Sequence, residues 1–268
     1  MIIVGEKING IIPSVKAAIE SKDEAFIKDL AKREQAAGCT FLDVCTSVPE
    51  KDEEVMKWLI DLVEAEIPEA RFSLDSPNPE TIKNVIPYCK NPGIVNSVSL
   101  EGDKIEKILP VVEGTDWCII GLLIGRDGMP KTAQDRINNL HEFMAEIKKY
   151  DIPDDHIYID PLVLSVATLP NAYLDFIEAT KAVREFYPDV HVISGLSNIS
   201  FGIPSRKSLN LSFLIGAMQF GMDAAIMDPL NRDMLGGVFG TEALIGKDPY
   251  CKKYLKAYRK DLFGVQKK

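Results

Sequence analysis

Short apolar runs rich in β-branched residues alternate along the whole chain with longer stretches in which apolar positions recur about every 3.6 residues. The short runs are MIIVG, TFLDV, RFSLD, GIVNS, WCIIGLL, HIYIDP, VHVISGL and AAIMD, and they predict eight strands ending near residues 5, 43, 75, 96, 121, 160, 195 and 227. The intervening pattern predicts helices, for example over 25–37, 53–65, 81–89, 132–149, 173–186 and 209–220. Helix-start signals stand at Ser21 to Glu24 and at Ser76 to Pro79, where short polar side chains can accept hydrogen bonds from the unpaired N–H groups of a first turn. Eight consecutive strand-helix steps without a composition break predict an α/β fold, a (β/α)8 TIM barrel forming one domain over residues 1–268, rather than an open doubly wound sheet. In the last stretch, 252–268, Tyr254, Tyr258 and Leu262 recur at i, i+4 and i+8 and predict an amphipathic closing helix packed on the barrel, its Lys and Arg residues in water.

Composition narrows the function classes. The 268 residues are 46% hydrophobic and 26% charged, enough apolar material for one large buried core. A net charge of −9 argues against a broad basic face for nucleic acid or anionic membrane, but leaves room for a small anionic ligand held by a few local cations. The N-terminal segment lacks a basic region before its apolar run, and no apolar run approaches the roughly 20 residues of a membrane span, so a cytoplasmic location is expected. Cys39, Cys45, Cys89, Cys118 and Cys251 are odd in number and contain no C-x-x-C pair, which predicts buried free thiols. His141, His156 and His191 are spaced too widely for a zinc site, and no protein-bound metal is expected.

The informative polar residues are those that interrupt the strands. Asp43, Asp75, Asn96, Asp160, Asn198 and Asp228 stand at the C-terminal end of a predicted strand or in the turn after it, and in a barrel these positions converge on one mouth. Helix capping could explain any one of them. It does not explain the set, because separate cap signals follow, as at Ser76 to Pro79. An ionised Asp only accepts hydrogen bonds, whereas Asn donates and accepts, so the mixture suits both edges of a flat, base-like heterocycle. No G-x-G-x-x-G or P-loop pattern offers a phosphate cradle. A Schiff-base aldolase would use a strand-end Lys such as Lys7, and a glycosidase would want aromatic platforms where only Trp58 and Trp117 are available, both reading as core. Neither rival accounts for the asparagines.

The segments GEKING (5–10), SLDS (73–76), VNSVS (95–99), YIDPL (158–162), the GLSN-x-S-F-G-x-P-x-R-K-x-L-N run (195–210) and GMDAAI-D (221–228) resemble the pterin-binding methyltransferases. That family includes methyltetrahydrofolate:corrinoid/iron-sulfur protein methyltransferase and the folate module of cobalamin-dependent methionine synthase, and its barrel is dihydropteroate-synthase-like. The resemblance implies methyl transfer between N5 of tetrahydrofolate (or its 5-methyl form) and the cobalt of a corrinoid carried by another protein. It implies that Asp75, Asn96 and Asp160 hold the pterin, with Asp160 on the 2-amino and N3 edge, and that Asn198 hydrogen-bonds near N5. Asp43, Glu6, Asn9, Gly195, Ser197, Arg206 and Asp228 fall in the matching segments or strand ends and complete the expected substrate site.

Lys7, Arg126, Arg206 and Lys207 are candidate cations for the glutamate tail of a folate. Where relatives carry L-D-x-N after the second strand, this chain has Leu42-Asp43-Val44-Cys45, and a thiol cannot replace the hydrogen bonds of an amide. The chain lacks D-x-H-x-x-G, the motif of cobalamin-binding domains, so the corrinoid is expected from a partner protein over an open mouth. A homodimer is implied by the resemblance. Dihydropteroate synthase and a non-catalytic pterin-binding subunit are the alternatives.

Overall fold

The computed structural model describes residues 1–265; Gln266, Lys267 and Lys268, included in the predicted closing helix, lie outside the described residues. The eight predicted strands are present: β1 (Ile2–Gly5), β2 (Phe41–Cys45), β3 (Phe72–Asp75), β4 (Ile94–Val98), β5 (Cys118–Leu122), β6 (Ile157–Asp160), β7 (His191–Val192) and β8 (Ala224–Met227). All neighbours pair in parallel, in the order β8-β1-β2-β3-β4-β5-β6-β7. The ring closes where the Asp223 N–H donates to the Val192 carbonyl (3.2 Å), the Ile226 N–H donates to the Ser194 carbonyl (2.9 Å) and Gly195 bridges to Ile226. β7 is shorter than its apolar run because, past Ile193, its backbone groups turn from β6 to β8.

Period-two alternation explains the layers. Val4, Phe41, Ile94, Cys118, Ile120, Tyr158, Ile193 and Ala224 form one cluster inside the barrel, with the rings of Phe41 and Tyr158 edge to face at 6.4 Å. The alternate residues, among them Ile3, Leu42, Leu74, Val95, Ile119, Ile159, Val192 and Ala225, join a second cluster shared with the helices. Strands apolar on both faces are what a parallel sheet covered by helices requires.

The helices follow their strands: α1 (Pro13–Ser21), α2 (Glu24–Ala37), α3 (Asp52–Glu66), α4 (Pro79–Val85), α5 (Lys104–Val112), α6 (Ala133–Ile147), α7 (Ala172–Phe186), α8 (Arg206–Gln219), α9 (Arg232–Leu244) and α10 (Lys252–Arg259). Local chemistry sets their ends. The Asp23 carboxylate accepts from the Phe26 N–H to start α2, Gly38 at φ 99° stops it, and Thr132 with Asp135 forms a capping box on α6.

Two expectations need correction. The closing helix ends at Arg259, and Asp261 takes a positive φ, so Leu262 lies past the helix; the buried anchor is Phe263, packed on Phe239, Tyr254 and Tyr258. Of the five free thiols Cys39 and Cys118 are buried, Cys45 and Cys89 are half-buried, and Cys251 is exposed because it sits in the polar turn leading into α10.

A buried carboxylate unforeseen in the sequence shapes the end of β1. Glu34 projects from the inner face of α2 onto Gly5, where an added Cβ would lie 2.5 Å from its Oε1, and that oxygen accepts from the Lys7 N–H at 3.0 Å. Burial raises the Glu34 pKa to about 8. The folded state therefore holds a proton that the unfolded chain has released above its ordinary value of 4.5, so this group makes stability fall as pH rises from about 5 to 8. Glu34→Gln should melt at a higher temperature than the wild-type protein at pH 8, with the gap closing toward pH 5; a gap independent of pH would show that Glu34 is ionised throughout.

Candidate active site

The inward row of each strand changes character at its last step. Two residues beyond the interior apolar positions Val4, Phe41, Ile94, Tyr158, Ile193 and Ile226 stand Glu6, Asp43, Asn96, Asp160, Gly195 and Asp228, and Ser73 is followed in the same way by Asp75. On β5 the corresponding position is Leu122. The mouth is thus polar on nearly every strand above an apolar floor.

The wall formed by β2, β3 and β4 is the most tightly ordered. Cys45, Asp75 and Asn96 are in register across the three strands, and Asp43 lies one inward layer deeper, opposite Ser73. Asp43 is only 2% exposed; its Oδ1 accepts from Ser73 Oγ at 2.6 Å and from Asn96 Nδ2 at 3.3 Å. Burial, with Asp75 nearby, pushes its pKa well above the ordinary carboxylate range. Asp75 is half-buried, and burial raises it to about 6 against a hydrogen bond from the Cys45 thiol that draws it down. Cys45 thus occupies its place in the mouth as a donor to Asp75, with Ser47 Oγ 3.7 Å from its sulfur. Behind this wall Asp52 accepts from the hydroxyls of Thr46 and Ser76, fixing the loops that follow β2 and β3.

Across the barrel, Asp160 is 8% exposed, and its Oδ1 accepts from the Leu162 N–H at 2.8 Å. Burial raises its pKa to about 7, opposed by the Leu162 and Gly195 N–H groups and by Arg136. Arg136 is wholly buried on α6; its Nε donates to the Pro161 carbonyl (2.8 Å), its Nη1 donates to the Thr132 carbonyl (3.0 Å), and Asp175 lies 3.7 Å away. It locks the chain just after Asp160. The signal for it in the sequence was a single Arg in line with Leu140, Phe143 and Ile147 on the apolar face of a helix.

On the β1–β8 side, Glu6 is raised to about 7 by burial and by Asp228, partly offset by Lys7 and Arg206. Lys7 Nζ reaches Asp228 Oδ2 at 3.3 Å, Asp228 Oδ1 accepts from the Leu230 N–H, and Asn9 Oδ1 accepts from the Ile11 N–H, closing its own turn. The GLSN segment folds as a 3-10 turn, Leu196–Ser200. Arg206 braces it, donating from Nη2 to the Ser197 carbonyl (2.6 Å) and from Nε to Ser200 Oγ (3.0 Å), while Ser165 Oγ donates to the Phe201 carbonyl (2.6 Å). Asn198 is exposed at the top of this turn and, among the described residues, its side chain makes no hydrogen bond.

The four candidate rim cations divide. Lys7 is paired with Asp228, Arg126 with Glu142 and Glu146 on α6, and Arg206 serves the turn. Lys207 makes no ion pair among the described residues and lies beside Glu6 and Asp228 at the edge of the mouth. Among the described residues no group of three or more His, Cys, Asp or Glu is placed to hold a metal ion, and no helix is long and apolar enough to cross a membrane.

A (β/α)8 barrel with buried acceptors on two facing walls and a braced, exposed amide between them defines a class, that of barrel enzymes shaped for a flat ring bearing several N–H groups. Residues 14–228 match the pterin binding enzyme family, and the chain belongs to it. It is 46% identical over 267 residues to the methylcorrinoid:tetrahydrofolate methyltransferase of Eubacterium limosum, covering 98% of both chains. It is 28% identical over 251 residues to the methionine synthase of Mycobacterium tuberculosis, covering 87% of this chain and 21% of that longer protein. Among solved structures, a dihydropteroate synthase from Coxiella burnetii in complex with pteroic acid superposes with a TM-score of 0.61 at 14% identity, over 90% of this chain and 93% of that one, a likeness of fold alone.

The raised carboxyl groups make a pH test. A ring edge rich in N–H groups favours the ionised form of Asp160, which in the free protein keeps its proton up to about pH 7. Binding of such a ring at pH 6 should release about one proton, and affinity should fall as pH drops below 7. Calorimetry in buffers of different ionisation enthalpy reads this directly; binding without proton release would mean that Asp160 is not at the ring.

Proposed function

We propose that this chain transfers a methyl group between N5 of tetrahydrofolate and the cobalt of a corrinoid carried by a separate protein. The observation that carries the reading is the 46% identity, over nearly the whole of both chains, to a relative named for that reaction. The mouth supports it in chemical detail. In this reading Asp160 accepts from the 2-amino and N3 edge of a pterin, and Asp75 and Asn96, in register on the facing wall, meet other ring nitrogens; the burial of Asp160 and its raised pKa support the assignment. Asn198, with its amide unengaged, is set to hydrogen-bond near N5.

The corrinoid supplies the metal that accepts or gives up the methyl group; the protein's own residues bind, orient and stabilise. In transfer toward folate, the N5 lone pair forms the new C–N bond, the electron pair of the broken bond stays with cobalt, and N5 sheds one proton. Charge at N5 therefore changes during the reaction. A neutral amide can rotate to follow that change without burial of a fixed charge, which suits Asn198 to the role. No Ser, Cys or His of the chain is required as a nucleophile, and burial holds the Cys45 thiol far from its reactive form, with its pKa raised to about 12.

The reading treats residues 1–268 as one pterin-binding unit that acts in the cytoplasm, in keeping with five free thiols. It includes a homodimer formed through outer helices, where Phe220 and Leu244 leave large apolar side chains exposed after α8 and at the end of α9. The dihydropteroate synthase alternative has only the shared fold in its favour.

Asn198→Ala should lower the rate of methyl transfer from methylcobalamin or a methylcorrinoid protein to tetrahydrofolate by about 100-fold while changing folate affinity only a few-fold, as expected for a group acting mainly in the transition state. Spectrophotometric turnover and calorimetry on the same preparations check both quantities. Equal losses in rate and affinity would make Asn198 a simple binding residue, and no binding of tetrahydrofolate at millimolar concentration would remove the proposed function.

A further inference from the structure

The side chains of Asp43, Ser73 and Asn96 form a closed arrangement beneath the mouth. Ser73 is fully buried and its hydroxyl donates to Asp43 Oδ1; the same oxygen accepts from Asn96 Nδ2. An oxygen that accepts two hydrogen bonds is not the protonated one, whichever charge state the carboxyl group takes. The amide of Asn96 is planar, so with Nδ2 turned to Asp43 its carbonyl Oδ1 points away from Asp43, and among the described residues it accepts no hydrogen bond.

We propose that Asp43 is a positioning residue that fixes the Asn96 amide with its acceptor facing the substrate, making the β3–β4 wall a pair of acceptors that selects reduced pterin rings. The inference rests on the pterin reading of the mouth given above and adds a polarity to it. Asp75 and Asn96 are in register neighbours, and an ionised Asp75 also only accepts. With N5 at Asn198, the reduced-ring nitrogen left for this wall is N8, which carries a hydrogen in tetrahydrofolate and in its 5-methyl form alike. In the fully oxidised ring N8 is a bare acceptor and would face two acceptors across a partly desolvated wall, a mismatch that leaves it unpaired. Asp43, too deep to be the first side chain a ring meets, acts through Asn96.

Exchanging the two side chains tests the polarity. In Asn96→Asp alone, a carboxylate replaces the donor that Asp43 needs, and tetrahydrofolate binding should weaken by about 30-fold or more, the scale of a lost buried hydrogen bond with charge involved. In the exchanged variant D43N/N96D, the amide at position 43 donates upward and the carboxylate at position 96 still offers an acceptor to the ring, so affinity should return to within about fivefold of wild type. The preference for tetrahydrofolate over folic acid should persist in the exchanged variant. If D43N/N96D is folded, with a wild-type circular dichroism spectrum and melting temperature, yet binds as weakly as N96D, then the upward atom is a donor and the proposal falls. It falls as well if the wild-type protein binds folic acid as tightly as tetrahydrofolate.

A second measurement needs no folate. The Asn96 side-chain NH2 resonances in a 15N correlation spectrum, identified by their loss in N96D, should be protected from solvent exchange in the free protein and lose that protection in D43L. Unchanged protection in D43L would overturn the lock. Failure of wild-type protein to bind any folate would instead remove the pterin reading, and the spectrum would still decide whether Asp43 orients Asn96.

Discussion

Strand alternation in a closed parallel barrel is the constraint from which the site follows. Each strand of this chain must be apolar on its outer row, to meet helices, and apolar on its inner row, to fill the barrel. Only the last inward step at the C-terminal end is released from that demand, because it faces the open mouth. Glu6, Cys45, Asp75, Asn96, Asp160 and Asp228 occupy those released positions, and Asp43 is the acidic exception one layer below. Their convergence is a geometric consequence of where each strand stops.

Gathering so many acceptors has an electrostatic cost. Burial raises Glu6 and Asp160 to about 7 and Asp75 to about 6 and holds Asp43 well above its ordinary range, with Asp228 adding repulsion at Glu6 and Asp75 adding it at Asp43. The scaffold supplies only partial compensation: backbone N–H groups at Asp160, a hydroxyl and an amide at Asp43, a thiol at Asp75. A ring edge lined with N–H donors would supply the remainder, so the same electrostatic cost favours such a ring. The turn bearing Asn198 follows a different logic. It is held by Arg206 from α8 and by Ser165 from the preceding loop, which leaves the amide itself uncommitted.

Much of this was legible in the sequence because it depends on periodicity. Eight apolar runs with polar termini identified the barrel and the inward carboxylates and amides, and the GLSN run marked the braced turn. What escaped the sequence reading depends on tertiary contact. Arg136 and Glu34 are charged residues on buried helix faces, indistinguishable in the chain from solvated charges until the barrel closes over them. Arg206 follows the turn and also braces it through Nε and Nη2, and Arg126 pairs with Glu142 and Glu146 on α6, contacts that only the closed barrel brings about. The end of α10 was misplaced because the i, i+4 pattern of Tyr254, Tyr258 and Leu262 continues past the positive φ at Asp261, a backbone event that side-chain periodicity does not record. Asp43 and Asp75 looked equivalent as strand-end carboxylates; register alone shows that one lies a layer below the other.

In the proposed function the inward strand ends grip a reduced pterin in the mouth, with Asp160 on one edge and the β3–β4 wall on the other. A crystal structure of the chain with tetrahydrofolate tests it most directly. The ring should sit above the apolar floor, its 2-amino and N3 groups on Asp160, its other nitrogens toward Asp75 and Asn96, and N5 within reach of Asn198. A ring bound outside the mouth, or seated there with its 2-amino edge turned away from Asp160, would contradict it.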